Sequence, residues 1–564
     1  MRREDRGRFA ARGLGWGAEG AQESHRRMDR FVGLPGSDPH PPDSPGRSPI
    51  AAHWVALGAI ALAGTILLFW FTRRGIGLWE DTFDYVTSAL NLARIGQLGR
   101  VDGLGEFRPL THFPPGYPMA LGLLSLLGVD IYVAARWLSC VMFGATVGLV
   151  GATTLLMTES VIGGLLAAAL VLTSEVIIGV HLWALSEPLY LFLSLLTLIV
   201  LSAYLRSPRR SVLLWAAASA GGLALLTRFV GLSLVLAAVV VLVAFPHAPL
   251  RRRLRDTATF SAVAFLPIGA FLLRNLSVSG NAADLSQPSW HLPAAAQWQE
   301  AARTLLNWGL PDFVVDSLAG DASLFLVAVP IILGVGGVLW FARRELGRLS
   351  SAGGRWPQLT LLSLSYGTLY ALTVLGTVAL VHRNTPLDDR ILSPLYPTSL
   401  VLASGFVAEA WKAGGVKTKW AVATACILLA AFQLARFRGL ALTLPSDSRG
   451  FASNAWQTSE TAAYVRGLPA LPIYSNEIQA LYFLAGKNAT FVPTSSNPAT
   501  GERRGDYEVS LARMRERLST EGGFLVLIDP SELSPEEMSE LVDGLILVAT
   551  FSDGVVYRSP TPRY

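Results

Sequence analysis

The chain has 564 residues, of which 51% are hydrophobic and only 15% charged, with a mean hydropathy of +0.43. A composition this far from the soluble average excludes an ordinary water-soluble enzyme and indicates a polytopic membrane protein. The net charge of +5 and pI near 9.2 do not indicate a nucleic-acid partner, because the basic residues fall in short loops between apolar runs, where they set topology.

Residues 1–50 are rich in Arg, Gly, Pro and Ser and lack an apolar core, which predicts a disordered basic tail. The first apolar run, His53 to Phe71, passes directly into Thr72-Arg73-Arg74 without a small-residue cleavage site and reads as a retained signal anchor. A bilayer core of about 30 Å takes about 20 apolar residues per helix. On that scale eleven spans are expected, near 52–72, 130–156, 161–179, 187–205, 212–227, 229–245, 257–273, 323–341, 359–381, 391–410 and 420–437. Cys140 and Cys426 lie inside such runs, so no disulfide framework is implied. The tail, Arg206 to Arg210, Arg251 to Arg255, Arg343-Arg344 with Arg348, and Lys412, Lys417 and Lys419 share one side, expected to be cytoplasmic. The protein is then a multi-pass protein of the plasma or inner membrane, with its N-terminus inside. The 73–129, 274–322 and 382–390 loops and everything beyond about 440 are extracytoplasmic.

The first of these loops carries Trp79-Glu80-Asp81-Thr82-Phe83-Asp84-Tyr85 and then His112-Phe113-Pro114-Pro115-Gly116-Tyr117-Pro118. Asp81, Asp84, Tyr85 and Ser88 recur at helical spacing while Phe83, Val86 and Leu90 take another face, predicting an amphipathic helix on the membrane surface ended by Gly96 and Gly99. Neighbouring carboxylates raise the pKa of at least one of them and make a general base available; the competing reading is a solvated helix face. Farther along, Glu187, Arg228 and Arg274 are ionisable groups in or beside apolar spans and need a polar cavity, a partner or a helix end. Snorkelling arginines and a structural Glu187 are the alternative. Arg390 follows Asp388 and Asp389 at the start of a span, where its fork can grip a phosphate. Trp290, Trp298 and Trp308 in the 275–321 loop read as an interfacial belt, with stacking on sugar faces as the alternative.

The acidic run and the His-Phe-Pro-Pro turn, with Ala89-Leu90-Asn91-Leu92-Ala93 and Gly96 between them, resemble the first external loop of GT-C glycosyltransferases, such as protein O-mannosyltransferases and lipid A aminoarabinose transferases. Ser186-Glu187-Pro188-Leu189-Tyr190, Leu226 to Gly231, Leu273-Arg274-Asn275 with Gly280, and Leu387 to Pro394 resemble further motifs of bacterial members, in family order, so that the likeness runs from about residue 50 to 485. It implies an integral membrane enzyme that transfers a sugar from a polyprenyl phosphate-linked donor to an extracytoplasmic glycan, lipid or protein acceptor, with inversion. By the family pattern Tyr85, four residues on, aligns the motif carboxylate with Asp81 as the base. Glu80 competes for that role and Asp84 is the third carboxylate. His112, Arg228, Arg274 and Arg390 would face the donor phosphate, with Tyr85, Glu187 and Asp389 in support. Glu80 and Asp84 offer oxygen ligands of the kind Mg²⁺ or Mn²⁺ accepts, and metal dependence stays open. The alternative of another class is a non-enzymatic transporter, flippase or lipid-binding protein for the same polyprenyl phosphate. Such a protein calls for repeat-related broken helices at mid-membrane, whereas these charges concentrate at the outer face.

Beyond about Leu444 short apolar runs at 471–475, 524–529 and 545–548 alternate with helical patterns at 457–467, 476–485, 507–520 and 534–542, with Ser552-Asp553-Gly554 as a hairpin turn. This predicts a small extracytoplasmic α/β domain over 445–564, without a nucleophile triad, metal site or phosphate loop and suited to acceptor binding or to covering the active site, with a purely structural appendage as the alternative.

Overall fold

A computed structural model describes residues 49–246, 248–283, 290, 292–311, 314–316, 336, 357–381, 384–496 and 503–560. The first helix is α1 (Pro49–Phe71). The loop after it folds as α2 (Glu80–Ile95), a hairpin of β1 (Gly99–Val101) and β2 (Phe107–Pro109), and α3 (Gly116–Leu126). Then come α4 (Ile131–Thr158), α5 (Val161–Leu172), α6 (Glu175–His181), α7 (Glu187–Arg206), α8 (Ser211–Thr227), α9 (Leu232–Ala244) and α10 (Leu250–Ser279). The helical part closes with α11 (Ala295–Asn307), α12 (Pro357–Leu380), α13 (Asp389–Leu392), α14 (Leu395–Ala413) and α15 (Val416–Thr443).

Six described helices are long and apolar enough to cross a membrane, or seven if the bent pair α5 and α6 counts as one span, and the protein is a multi-pass membrane protein. The expected span at 323–341 lies outside the described residues. Three others depart from expectation. The span at 161–179 is two helices meeting at 55°, because Thr173 ends α5 and the Ser174 hydroxyl accepts the Ile177 N–H to start α6. The span at 257–273 is only the middle of α10, a helix of 30 residues. The span at 391–410 begins in α13 and is interrupted before Leu395, where Pro394 removes a backbone donor. Inside the bundle the polar tips of buried tyrosines are paired, as a medium without water demands: Tyr190 with Tyr366 at 3.0 Å, and Tyr370 donating to the Ile391 carbonyl at 2.6 Å.

The C-terminal part holds a five-stranded sheet in the order β4-β3-β5-β7-β6, from β3 (Ile473–Ser475), β4 (Thr490–Phe491), β5 (Phe524–Ile528), β6 (Ile546–Phe551) and β7 (Gly554–Arg558). β4, β3 and β5 are parallel, and β7 runs antiparallel to both β5 and β6 through the expected turn at Ser552 to Gly554. β5 is buried on both faces, which explains its unbroken Phe-Leu-Val-Leu-Ile run. Leu525 and Leu527 pack with Leu511, Met514 and Leu518 of the Tyr507–Glu521 helix, while Phe524, Val526 and Ile528 face the opposite core.

That opposite core is shared with the first loop. Phe83, Val86, Tyr117 and Leu121 belong to one apolar cluster with Phe451, Leu481, Leu484 and Val526, and the Phe83 and Tyr482 rings meet edge to face at 5.0 Å. The expected helix is therefore packed against protein of the C-terminal part. Phe83, Tyr85, Val86 and Ser88 are all buried, while Glu80 is exposed and Asp81 and Asp84 keep 22% and 32% of their side-chain surface.

Candidate functional site: an ion-pair chain beneath the first loop

The start of α2 is fixed from both sides. Gly77 N–H donates to the Leu182 carbonyl at 2.8 Å, and Ala184 N–H returns a bond to the Gly77 carbonyl at 2.9 Å. Leu78 N–H donates to the Arg449 carbonyl at 3.2 Å, and Phe451 N–H to the Leu78 carbonyl at 3.0 Å. Gly77 is required here, since a Cβ would lie 2.9 Å from the Leu182 carbonyl oxygen and 2.7 Å from the Trp183 ring. Thr82 then locks the first turn, accepting the Trp79 N–H at 2.9 Å and donating to the Ala184 carbonyl at 3.1 Å. These bonds hold Asp81 against the N-terminus of α7, which begins at Glu187-Pro188.

Two further elements arrive at the same place. Gly116, the glycine of the Pro-Pro-Gly turn, packs on the end of α8, where a Cβ would stand 2.7 Å from the Leu226 carbonyl oxygen, two residues before Arg228. Arg390 sits in the single turn α13, capped by Asp388, whose carboxylate accepts the Ile391 N–H at 3.0 Å. The segment 384–388 leading into α13 is strapped to α11. Gln297 donates to the Thr385 carbonyl at 3.0 Å, Thr304 donates to the Leu387 carbonyl at 3.1 Å, and Glu300 accepts the Leu387 N–H at 2.9 Å.

The result is a chain of alternating charge. Arg390 donates through Nη2 to Asp81 and through Nε to Glu187 Oε1 at 2.6 Å. The same Glu187 oxygen lies 2.5 Å from Arg228 Nη1. Arg228 also donates to the Ser186 hydroxyl at 3.1 Å, and that hydroxyl is 3.3 Å from the Tyr85 phenol. Glu187 is 1% exposed, whereas Arg228, Arg390 and Asp81 keep 18%, 27% and 22% of their side-chain surface. The buried carboxylate therefore anchors two guanidinium groups that are open on their other side. Burial works against the charge of Arg390, but Glu187 and Asp81 outweigh it and raise its pKa, so it stays cationic. Burial, with Asp81 and Glu187, raises the Tyr85 phenol as well and keeps it a hydroxyl donor.

The remaining expected residues are placed around this chain. Asp84 pairs with Arg100 of β1 at 3.1 Å. Burial raises its carboxyl above the ordinary range, Arg100 opposes this, Asp81 adds to it, and His112 opposes it. His112 is exposed beside Phe113 and acts on Asp84 through its charge, and Glu80 is exposed at the first turn of α2. Arg274, expected at the donor phosphate, is engaged elsewhere. It donates to the Leu110 carbonyl at 2.7 Å, the Leu98 carbonyl at 2.8 Å and the Asn275 side chain at 3.0 Å, tying both ends of the β1–β2 hairpin to α10. Asp389 likewise turns away from Asp81, accepting the Trp308 indole N–H at 3.0 Å beside a cavity of about 360 Å³ along α11. No group of three His, Cys, Asp or Glu side chains able to hold a metal ion occurs among the described residues, and Asp84 lies against Arg100.

Thr82 and Ser186 lie within the sequence motifs without an assigned role there, and Arg100 and the Gln297, Glu300 and Thr304 row lie outside them. The last was legible: those three and Trp308 follow helical spacing along one face, in a loop read only for its tryptophans.

No family model matches this sequence, and no curated protein matches it. Solved structures do match. ArnT from Cupriavidus metallidurans in the apo state superposes with a TM-score of 0.52 at 13% identity, over 90% of this chain and 98% of that one. The same protein bound to undecaprenyl phosphate gives 0.51 at 14%, over 91% and 99%. Archaeal oligosaccharyltransferase AglB from Archaeoglobus fulgidus, in complex with an inhibitory peptide and a dolichol-phosphate, gives 0.52 at 11%, over 91% and 75%. The chain has the GT-C fold. Within this fold the helix after the first span, the following hairpin and the Pro-Pro-Gly turn form one unit that carries Asp81, and the bundle supplies Glu187, Arg228 and Arg390 from three separate helix ends.

Proposed function

We propose that this protein is a membrane glycosyltransferase that moves a sugar from a polyprenyl phosphate-linked donor to an acceptor hydroxyl outside the cytoplasm, with inversion. One observation carries this reading: a single carboxylate, Asp81, stands directly against Arg390, one of two guanidinium groups held by a buried glutamate. A displacement at an anomeric carbon needs a base at the incoming hydroxyl and positive charge at the departing phosphate. Asp81 takes the acceptor proton as that oxygen bonds to the anomeric carbon. The bond from that carbon to the donor phosphate oxygen breaks with its electron pair, and Arg390 and Arg228 receive the phosphate charge. Glu187 positions both arginines, and Ser186 with Tyr85 fixes Arg228.

The contact between Arg390 and Asp81 adds an order to the events. A donor phosphate competes with Asp81 for the Arg390 fork, so donor binding releases the base for the acceptor. The lipid phosphates named for two similar structures, undecaprenyl phosphate and a dolichol-phosphate, support the donor class. The loop charges support a site on the extracytoplasmic side. Arg274 serves the loop, and no step is routed through a metal.

The test is direct. Purified protein in nanodiscs is incubated with a panel of polyprenyl phosphate sugars and an envelope acceptor extract, following lipid phosphate release and the anomeric configuration of the product by NMR. Donor-specific release with an inverted product is expected. Retained configuration, or no release from any donor, would overturn the proposal.

A further inference from the structure

The C-terminal sheet has a cavity of its own, about 500 Å³ in volume, separate from the charge chain. It opens at the carboxyl end of β5, bounded by Ile528, Asp529 and Pro530, with Trp456 and Ser459 on one side and Phe551, Ser552 and Asp553 of the β6–β7 hairpin on another. β3 connects to β4 on its one side, and the chain then returns to β5 on the other, so β3 and β5 flank the point where the sheet reverses its strand order. The cavity is walled instead by the end of β5 and the β6–β7 hairpin, with no residue of β3 among its described lining. The Asn476 side chain ties the two strand ends together, donating to the Ile528 carbonyl at 2.7 Å and accepting its N–H at 3.0 Å.

The lining specifies the ligand chemistry. Two aromatic side chains offer flat apolar surface, two carboxylates and two hydroxyls offer hydrogen-bonding groups, and no lysine or arginine is present among the described lining residues. An anionic ligand would meet only like charge here. A sugar ring matches both components, its C–H face on an aromatic ring and its hydroxyls donating to carboxylate oxygens. Asp553 is a built part of the wall, accepting from the Ser459 hydroxyl at 2.5 Å and the Thr461 hydroxyl at 2.7 Å. Asp529 takes a left-handed backbone at φ 43°, and its exposed carboxylate accepts the Ser531 hydroxyl at 2.5 Å.

The cavity wall is also continuous with the catalytic loop. Trp456 stacks edge-on against Phe451 at 4.9 Å, and the Phe451 N–H bonds to the Leu78 carbonyl, three residues before Asp81. We infer that this cavity is a carbohydrate subsite for a neutral or amino sugar, and that it holds a glycan portion of the acceptor. Only the word acceptor rests on the transferase reading.

Saturation-transfer NMR on the full-length protein in nanodiscs, with a panel of neutral, amino and uronic-acid oligosaccharides, tests it. Neutral or amino glycans are expected to bind, with affinity falling about tenfold in Trp456→Ala. Asp529→Asn, which keeps a residue that tolerates the left-handed backbone, is expected to weaken binding without altering the melting temperature. Asp81→Asn is expected to leave glycan binding unchanged, so the subsite and the transferase reading fail separately. Equal binding of uronic-acid glycans, no binding by any glycan, or full affinity in both cavity variants would overturn the subsite. A bound glycan that transfer never modifies would overturn its assignment to the acceptor.

Discussion

Removing the charge of Glu187 is the most informative perturbation of the site. Its Oε1 lies 2.5 Å from Arg228 and 2.6 Å from Arg390, and the residue is 1% exposed. Opposite charges centred about 4 Å apart at an effective dielectric of 20 attract by about 4 kcal/mol. Solvent reaches both arginines, at 18% and 27% exposure, so the attraction to each is reduced. Glu187→Gln leaves two guanidinium groups side by side with no anion between them, and an expected loss of about 3 kcal/mol follows from breaking a buried pair. The loss should be smaller once Arg228 is neutralised too. In a double-mutant cycle of Glu187→Gln and Arg228→Gln, read by reversible SDS unfolding in mixed micelles, the expected coupling is about 1.5–3 kcal/mol. Additive single effects, within about 0.5 kcal/mol, would refute the shared-anchor reasoning.

Arg390→Lys should not rescue donor binding, because Nε and Nη2 reach two different carboxylates and an ammonium cannot reproduce that fork; lipid phosphate affinity near wild type would contradict this. Gly116→Ala drives a Cβ to within 2.7 Å of the Leu226 carbonyl oxygen, so a loss of about 1–3 kcal/mol is expected, with reduced transfer through displaced Arg228, checked by melting and turnover together. Asp84 contributes a pH dependence of definite sign. Its carboxyl is raised in the fold, so the associated stability is full below the ordinary aspartate pKa and is lost as pH rises through the raised value. A series of melting temperatures should show that decline with rising pH in the wild type and a flatter profile in Asp84→Asn; parallel profiles would remove the effect.

The sequence made the helical bundle legible because span length and loop charge are local properties. The C-terminal strands were visible where apolar runs were long enough, as at Phe524 to Ile528, and β4 escaped because two residues carry no pattern. Asp81, Glu187, Arg228 and Arg390 were each visible as misplaced charge, and the structure joins them through contacts spanning up to 309 residues, which no local pattern encodes. Arg274 looked the same in sequence and has a different partner, since carbonyls at Leu98 and Leu110 leave no mark on side-chain chemistry. The polar face of α2 was read correctly as a face, but what packs on the helix comes from residues 182–186 and 449–485, far along the chain.

The central claim is that Asp81 is the base of a lipid-linked sugar transfer. Its most direct test compares wild-type, Asp81→Asn and Glu80→Gln proteins in nanodiscs for release of polyprenyl phosphate from its sugar conjugate in the presence of acceptor. The account predicts that Asp81→Asn binds donor and retains its fold but transfers nothing, while Glu80→Gln transfers. Undiminished transfer by Asp81→Asn, or loss confined to Glu80→Gln, would contradict it.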